Sequence, residues 1–193
     1  GKFNAYNALV AIMICYLIDV PTKDIQNTLP QVHVLGRGQV MHVSPDYSVL
    51  IDYAHNGVSF ESIISTVEQY NPNKLIVVYG GKRSKTRRYE SGEVVAKHGG
   101  YSILTADNPR GEKIVDICKD IVVGIDKYHG EYTIIPDRKE AIYHALDMAH
   151  KGDVVLLLGK GHETYMIGED EVTRHFSETE VLEEYKKERG ISA

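Results

Sequence analysis

The chain has 193 residues, 42% of them hydrophobic and 25% charged, which is typical of a globular protein long enough to bury a sizeable core. Its formal net charge of -5 argues against a general nucleic-acid-binding protein, which would carry a basic excess. The apolar run at residues 8–20 is too short to span a membrane and lacks the basic flank of a signal peptide, so it predicts a buried helix and no membrane insertion.

The first part of the chain predicts two helices and then a β-hairpin. Helical spacing of apolar residues covers 3–17, and a proline followed by small polar residues starts a second helix at Pro21. Two β-rich runs, 32–43 and 47–52, flank the turn sequence Ser44-Pro45-Asp46 and predict the hairpin.

From residue 57 onward, helical and extended patterns alternate regularly. Predicted helices cover 57–70, 89–98, 112–125 and 138–150, and predicted strands cover 75–79, 102–106, 132–135 and 154–158. This alternation predicts an α/β fold with a Rossmann-like, mostly parallel sheet and helices on both faces. A short hairpin at 165–175 and a charged, exposed helix at 178–189 end the chain. We interpret residues 1–30 as the tail end of a preceding domain and 31–193 as the sheet domain.

Four predicted strands end in unusual polar segments. These are DYAH at 52–55, GGKR at 80–83, DNPR at 107–110 and GKGHE at 159–163. Because the carboxyl ends of parallel strands share one edge of a sheet, we expect the segments to converge on one crevice. In the last segment, glycines allow a ligand to approach the backbone, while Lys160, His162 and Glu163 supply charge. The alternative for that segment is an ordinary strand exit with solvated polar residues.

Basic residues concentrate in the predicted loop after the strand at 75–79. Five cations lie within seven residues, at Lys82, Arg83, Lys85, Arg87 and Arg88. In an acidic chain this loop suits a small anionic ligand, and the alternative is a solvated charged loop. Arg110 follows a proline that stiffens its loop, so its guanidinium is a candidate to bind a carboxylate through two parallel hydrogen bonds.

Several common site patterns are missing. The nine histidines are dispersed without ligand spacing, so no metal site is predicted. Neither Gly81-Lys82 nor Gly159-Lys160 is followed by the Ser or Thr of a P-loop, and no GxGxxG sequence supports a dehydrogenase. Cys15 and Cys118 show neither CxxC nor metal spacing and are predicted to be reduced core residues of a cytoplasmic protein.

Six short motifs, in order, resemble the Mur ligase family, most closely its MurE type, which adds the third amino acid of the peptidoglycan stem peptide. They are GKFNAYN at 1–7, GR at 36–37, DYAH at 52–55, DNPR at 107–110, DR at 137–138 and GKGHE at 159–163. The resemblance covers essentially the whole chain. It implies a Mur ligase C-terminal domain preceded by the last helices of the central ATPase domain.

The resemblance implies ATP-dependent amide formation. In this family a UDP-MurNAc dipeptide is activated as an acyl phosphate, which the amine of an amino acid then attacks. The P-loop and the magnesium ligands of the family lie in the central domain. The resemblance therefore implies ATP and Mg²⁺ for the full-length enzyme, no cofactor required by this fragment, and no catalysis by the fragment alone.

The resemblance also implies a nucleotide site. Asn7 matches the family asparagine at the adenine, and Arg37 matches the arginine that approaches the ATP phosphates. Asp52 matches the acid that holds the ribose hydroxyls, and Tyr53 and His55 line the same pocket. A carboxylate can accept from two vicinal hydroxyls, and an arginine offsets phosphate charge.

A second implied pocket binds the incoming amino acid, meso-diaminopimelate. Its residues are Asp107, Asn108, Pro109 and Arg110, completed by Arg83, Gly159 and Glu163. The two arginines are expected on the distal carboxylate, and Glu163 with the Gly159 carbonyl on the distal ammonium. L-Lysine lacks that carboxylate and would leave Arg110 unpaired at a loss of about 1–3 kcal/mol, so diaminopimelate is predicted over lysine.

The expected partners are therefore UDP-MurNAc-dipeptide, meso-diaminopimelate and ATP. Two loops depart from the family pattern: GGKR at 80–83 is shorter than usual, and Asn56-Gly57 stands where Thr-Pro is usual. Three alternatives stay open. They are a lysine-adding Mur ligase, a ligase of the folylpolyglutamate synthase type, and a binding module without catalysis.

Overall fold

The computed structural model describes residues 2–32, 34–81 and 84–191, with side chains from residue 5 onward. The chain divides into two compact units, Gly1–Leu35 and Gly36–Ala193. This boundary lies close to the one predicted at residues 30 and 31. The origin of the first unit in a neighbouring ATPase domain stays a prediction.

The first unit contains the two predicted helices. Helix α1 covers Lys2–Leu17, helix α2 covers Thr22–Thr28, and a short 3₁₀ helix follows at Leu29–Gln31. The predicted burial of the apolar run is wrong, since Leu17 is 76% exposed and Met13 is 56% exposed. Two helices offer too little surface to cover an apolar helix on all sides. No helix in the described ranges is long and apolar enough to cross a membrane.

The second unit is built on a mixed sheet. Its strands are β1 (Gln39–Met41), β2 (Ser48–Asp52), β3 (Leu75–Tyr79), β4 (Tyr101–Leu104), β5 (Tyr132–Ile134) and β6 (Val154–Leu158). Within the described residues their order is β1-β2-β6-β3-β4-β5. Strand β1 pairs antiparallel with β2, which confirms the predicted hairpin, and all other neighbours are parallel.

Five helices and a second hairpin complete this unit among the described residues. The helices are α3 (Gly57–Glu68), α4 (Lys85–Lys97), α5 (Ile114–Asp126), α6 (Arg138–Met148) and α7 (Glu178–Glu188), and the hairpin is β7 (Tyr165–Ile167) with β8 (Thr173–His175). Helix α4 begins four residues before its predicted start at Tyr89. The reason is a side-chain cap, because the Ser84 hydroxyl accepts a hydrogen bond from the Arg87 amide at 3.4 Å.

Helices cover both faces of the sheet, which confirms the predicted architecture. Successive strand residues point to opposite faces. Val77 and Tyr79 therefore pack with helices α3, α4 and α5, whereas Ile76 and Val78 pack with α6 and α7. All five residues of β3 and of β6 are buried, as expected for parallel strands between two helical layers.

The predicted exposure of the last helix is only half right. Helix α7 carries many charges, but Val181, Leu182 and Tyr185 lie on one face and are buried against the sheet. The apolar spacing of one, three and four residues is the pattern of an amphipathic helix. Helix α7 is therefore part of the core.

Candidate functional site

The carboxyl ends of adjacent strands lie at one edge of the sheet. The register pairs Asp52 of β2 with Leu158 of β6, and Val78 of β3 with Leu157 of β6. Strand β4 continues the parallel set beside β3. The polar segments after these strands therefore leave the sheet side by side, with the segment 159–163 between those that follow β2 and β3.

Asp52 is held by two backbone amides. The Gly38 amide donates to Oδ2 and the Ala54 amide donates to Oδ1, both with an N···O distance of 2.7 Å. Partial burial raises the pKa of the Asp52 carboxyl, while these hydrogen bonds and the charge of Arg37 oppose the rise. Each carboxylate oxygen can accept a further hydrogen bond, so Asp52 retains the capacity to accept from two vicinal hydroxyls.

The ring of Tyr53 lies in a cluster of nitrogen-containing side chains. The Arg37 Cζ atom is 4.9 Å from the Tyr53 ring centroid, and the ring centroids of His55 and His162 are at 5.1 and 5.6 Å. The His55 Nδ1 atom lies 3.0 Å from the Tyr53 carbonyl oxygen, which orients the imidazole. The structure thus brings Arg37, Tyr53 and His55 together and adds His162, a combination suited to the base and phosphates of a nucleotide.

Two glycines bring the turn at 36–38 against the segment after β6. Gly36 has φ +66°, and a Cβ atom there would lie 2.2 Å from the backbone nitrogen of His162. Gly161 has φ +56°, and a Cβ atom there would lie 2.8 Å from the Cβ atom of Tyr53. Both positions therefore require glycine, for conformation and for space.

Asn108 and Glu163 connect three segments of the site. The Asn108 amide nitrogen Nδ2 donates to Glu163 Oε2 at 2.9 Å, and its Oδ1 accepts from the Ile167 backbone amide at 2.9 Å. The Tyr53 hydroxyl lies 3.4 Å from Glu163 Oε1. Glu163, predicted on the amino-acid side, therefore also contacts Tyr53, predicted on the nucleotide side.

Lys160 contacts both residues of this pair. The sequence predicts it as a source of charge at this strand end, but the resemblance assigns it to neither pocket. Its side chain is fully buried, and its Nζ atom is 3.0 Å from Glu163 Oε2. Burial lowers the pKa of the Lys160 ammonium, and the charges of Glu163 and Asp107 oppose this effect. The sequence does contain a sign of this burial. Lys160 lies between two glycines, one residue after a strand that is apolar throughout, where the chain is still close to the core.

Asp107 and Gly159 face each other where β4 and β6 end. Asp107 is 2% exposed, and its Oδ1 atom has no hydrogen-bond partner within the described part of the chain. Gly159 has φ +108°, and a Cβ atom there would lie 2.5 Å from Asp107 Oδ2. A buried carboxylate oxygen without a donor is energetically costly, so Asp107 is an unusual residue at this strand end.

Arg110 lies two residues after Asn108, in the loop that follows β4. Its backbone has φ +53°, and its amide donates to the Ile167 carbonyl at 3.5 Å, so β7 supports the loop. Pro109 before it is buried, whereas the Arg110 side chain is exposed and forms no ion pair with a described residue. The guanidinium is thus available for an anionic ligand.

The predicted basic loop is wrong for three of its five cations. Lys85, Arg87 and Arg88 belong to helix α4. Arg88 is 1% exposed and donates to both oxygens of Glu112, at 2.6 Å each, and to Asp120 at 2.9 Å. It is a structural residue that joins α4 to the start of α5, because a buried guanidinium needs paired carboxylates.

Three predicted residues are not placed by these contacts. Lys82 and Arg83 lie outside the described residues. Asn7 lies on α1 in the first unit and is exposed, so its contact with adenine stays a prediction.

Metal binding finds no support in the described ranges, where no group of three His, Cys, Asp or Glu side chains is arranged to hold an ion. The resemblance implies Mg²⁺ only for the full-length enzyme, so no magnesium-dependent step is attributed to these residues.

An open, mostly parallel sheet with carboxylate, amide and guanidinium groups at its carboxyl edge is the arrangement in which α/β proteins bind their ligands. The chain belongs to the Mur ligase family, since the family described as "Mur ligase, glutamate ligase domain" matches residues 36–161. The match begins where the second unit begins.

Individual relatives agree with this family. The chain is 40% identical over 186 residues to the UDP-N-acetylmuramoyl-L-alanyl-D-glutamate--2,6-diaminopimelate ligase of Caldanaerobacter subterraneus subsp. tengcongensis, covering 95% of this chain and 38% of the relative. It is also 40% identical to the ligase of the same name from Clostridium perfringens, with 94% and 38% covered. The chain thus spans less than half the length of these curated relatives.

Solved structures show the same likeness. A structure of a ligase of that name superposes with a TM-score of 0.75 at 27% identity, covering 100% of this chain and 40% of that one. The predicted family and fold are therefore confirmed.

Proposed function

We propose that this chain is the amino-acid-binding domain of an ATP-dependent ligase that joins meso-diaminopimelate to UDP-MurNAc-L-Ala-D-Glu. The observation that carries the proposal is the contact between Asn108 and Glu163 at one edge of the sheet, with the exposed Arg110 two residues further along the same loop, supported by the names of the relatives. One cationic and one anionic side chain at a pocket match an amino acid whose distal end carries both a carboxylate and an ammonium.

In this proposal the guanidinium of Arg110, together with Arg83, pairs with the distal carboxylate of diaminopimelate. Glu163 and the Gly159 carbonyl accept hydrogen bonds from its distal ammonium. Because Glu163 Oε2 already accepts from Asn108 and Lys160, the substrate ammonium approaches Oε1, where the Tyr53 hydroxyl lies 3.4 Å away.

The residues at the end of β2 and in the turn before β1 are assigned to ATP. We assign Asp52 to the ribose hydroxyls, Arg37 to the phosphates, and Tyr53 with His55 to the walls of the pocket. Asn7 is assigned to the adenine. These roles are supported by the acceptor geometry of Asp52 and by the position of Arg37 at the Tyr53 ring.

In the reaction, the dipeptide carboxylate attacks the γ-phosphate of ATP, giving an acyl phosphate and ADP. The free α-amine of the bound diaminopimelate then attacks the acyl carbon, an amide bond forms, and phosphate leaves. The role of this chain is to hold the amine in position, which lowers the entropic cost of the attack. The printed sequence contains no P-loop, so we propose that the chain does not catalyse this reaction alone and that ATP and Mg²⁺ act in the full-length protein, in the cytoplasm.

Calorimetric titration of the full-length gene product with meso-diaminopimelate, and in parallel with L-lysine, tests the substrate. ATP and the UDP-MurNAc dipeptide are supplied in a companion assay that measures ADP release. We expect binding and turnover with diaminopimelate and little of either with L-lysine. Equal turnover of both amino acids contradicts the proposal and favours a lysine-adding ligase.

A further inference from the structure

Lys160 is fully buried, and each of its three N–H donors has an acceptor within the site. The Nζ atom donates to Glu163 Oε2 at 3.0 Å, to Asn108 Oδ1 at 3.4 Å and to the Tyr165 carbonyl oxygen. An ammonium has three donors and no acceptor, so these three contacts use its full capacity. Lys160 is therefore not placed to bind a substrate group directly.

The three acceptors belong to two stretches of the chain. Glu163 and Tyr165 lie shortly after Lys160 itself, before and at the start of β7, whereas Asn108 lies in the loop after β4. The ammonium therefore joins the loop after β4 to the chain between β6 and β7. Since a buried charge is costly without partners, the contacts specify how the segments sit around the pocket.

Lys160 also fixes the orientation of the Asn108 amide. Both Lys160 Nζ and the Ile167 amide donate to Asn108 Oδ1, which assigns that atom as the oxygen and turns Nδ2 towards Glu163 Oε2. Glu163 Oε2 in turn accepts from Asn108 and from Lys160. The position of the Glu163 carboxylate therefore depends on Lys160 through two contacts.

We propose that Lys160 is a positioning and specificity-determining residue for the incoming amino acid. This inference rests on the proposed function. Lys160 holds Asn108 and Glu163 in place. In the proposed pocket the distal end of diaminopimelate is held at two points, its ammonium at Glu163 and its carboxylate at Arg110, so a displaced Glu163 disturbs both contacts at once. L-Lysine has only the ammonium and loses less when Glu163 moves.

Two neutral variants, Lys160→Met and Lys160→Gln, test this in the full-length gene product. The readout is kcat/KM for meso-diaminopimelate divided by kcat/KM for L-lysine. This ratio does not depend on the fraction of enzyme that is folded, because both rates come from the same active molecules. Lys119→Met is the matched control, since Lys119 is 69% exposed on α5 and pairs only at the surface with Asp116.

We expect both variants to lower the ratio, with the KM for diaminopimelate raised about 10- to 100-fold, the effect of losing one charge-assisted hydrogen bond. The KM for ATP is expected to rise much less than the KM for diaminopimelate, since Lys160 contacts Asn108 and Glu163 directly and reaches Tyr53 only through the 3.4 Å contact of Glu163. Lys160→Gln keeps hydrogen-bond donors and is expected to fold if Lys160→Met does not.

The two proposals fail separately. If the unaltered protein does not ligate diaminopimelate, the proposed function is wrong. If it does, but both Lys160 variants keep the ratio of the Lys119→Met control, then Lys160 is only a structural residue and the inference is overturned. An equal rise in the KM values for ATP and diaminopimelate leads to the same conclusion.

Discussion

Arg138 and Glu178 form an ion pair with 2.7 Å between Nη2 and Oε1, and both side chains are completely buried. Arg138 also donates to the carbonyl oxygens of Ala106 and Leu158, at 2.8 Å each. These carbonyls immediately precede Asp107 and Gly159 in the chain. The last helix is thereby tied to the two backbone segments that enter the amino-acid pocket.

Replacing Arg138 should be far more damaging than replacing a surface cation. We expect Arg138→Met to lower the free energy of unfolding by about 3–5 kcal/mol, because Glu178 is left buried without its cation and two carbonyls lose their donor. Urea denaturation of the chain measures the difference.

The neighbouring pair Lys139 and Glu184 provides the control. Its Nζ···Oε1 distance is also 2.7 Å and it joins the same two helices, but its side chains are 40% and 49% exposed. Lys139→Met is expected to cost little, because water screens exposed pairs. Equal losses in the two variants would show that burial of the Arg138 pair is unimportant.

The turn at 36–38 offers a matched pair of glycines. Both have a left-handed backbone, with φ +66° at Gly36 and +58° at Gly38, but only Gly36 lies against other backbone atoms. Gly38→Ala should cost about 1–2 kcal/mol from backbone strain alone. Gly36→Ala should cost about 2–5 kcal/mol, since overpacking against His162 adds to that strain. Similar losses in both variants would contradict the close approach.

Arg110 decides the amino acid in the proposed function. We expect Arg110→Ala to abolish the preference for meso-diaminopimelate over L-lysine, with kcat/KM for diaminopimelate reduced about 10- to 100-fold. Arg189→Ala is the control, because Arg189, at the end of α7, pairs with Asp147 of α6 at 2.7 Å and is not assigned to either pocket. Competition between the two amino acids in the ligase assay gives the preference directly. A preference retained in Arg110→Ala removes Arg110 from the pocket.

The two cysteines should differ in reactivity. Cys118 is completely buried, whereas Cys15 is partly exposed. Iodoacetamide at pH 8 is expected to label Cys15 in the native protein and both residues in urea, because only an accessible thiolate reacts. Peptide mass mapping reads this out, and native labelling of Cys118 would contradict its burial.

Cys118 also makes stability depend on pH in a defined direction. Burial raises the pKa of the Cys118 thiol to about 12 from its usual 9.0, with the charge of Arg88 opposing. Above pH 9 the unfolded thiol loses a proton that the native thiol keeps, so the free energy of unfolding falls as pH rises from 9 to 12. Urea denaturation should show a shallower decline in Cys118→Ala than in the unaltered protein. Identical slopes would exclude this contribution.

The sequence by itself determined the elements and the edge at which the site lies. The apolar runs 75–79 and 154–158 became strands with the predicted bounds, because an uninterrupted apolar run that ends at a glycine suits a strand between two helical layers. Their polar exits were recognisable since parallel strands end at one edge. The motifs that resemble the Mur ligases likewise lie in the printed sequence.

Only the tertiary structure decided which charges meet. The sequence does not indicate that β6, which comes last of the six along the chain, lies inside the sheet between β2 and β3. This order places Glu163 beside both Tyr53 and Asn108. The sequence also does not distinguish Arg88, which is buried on two carboxylates, from Arg110, which is free of any described ion-pair partner. The physical reason is the distance along the chain over which each interaction acts. Periodicity and capping act over a few residues, whereas burial and pairing of a charge depend on segments brought together by the fold.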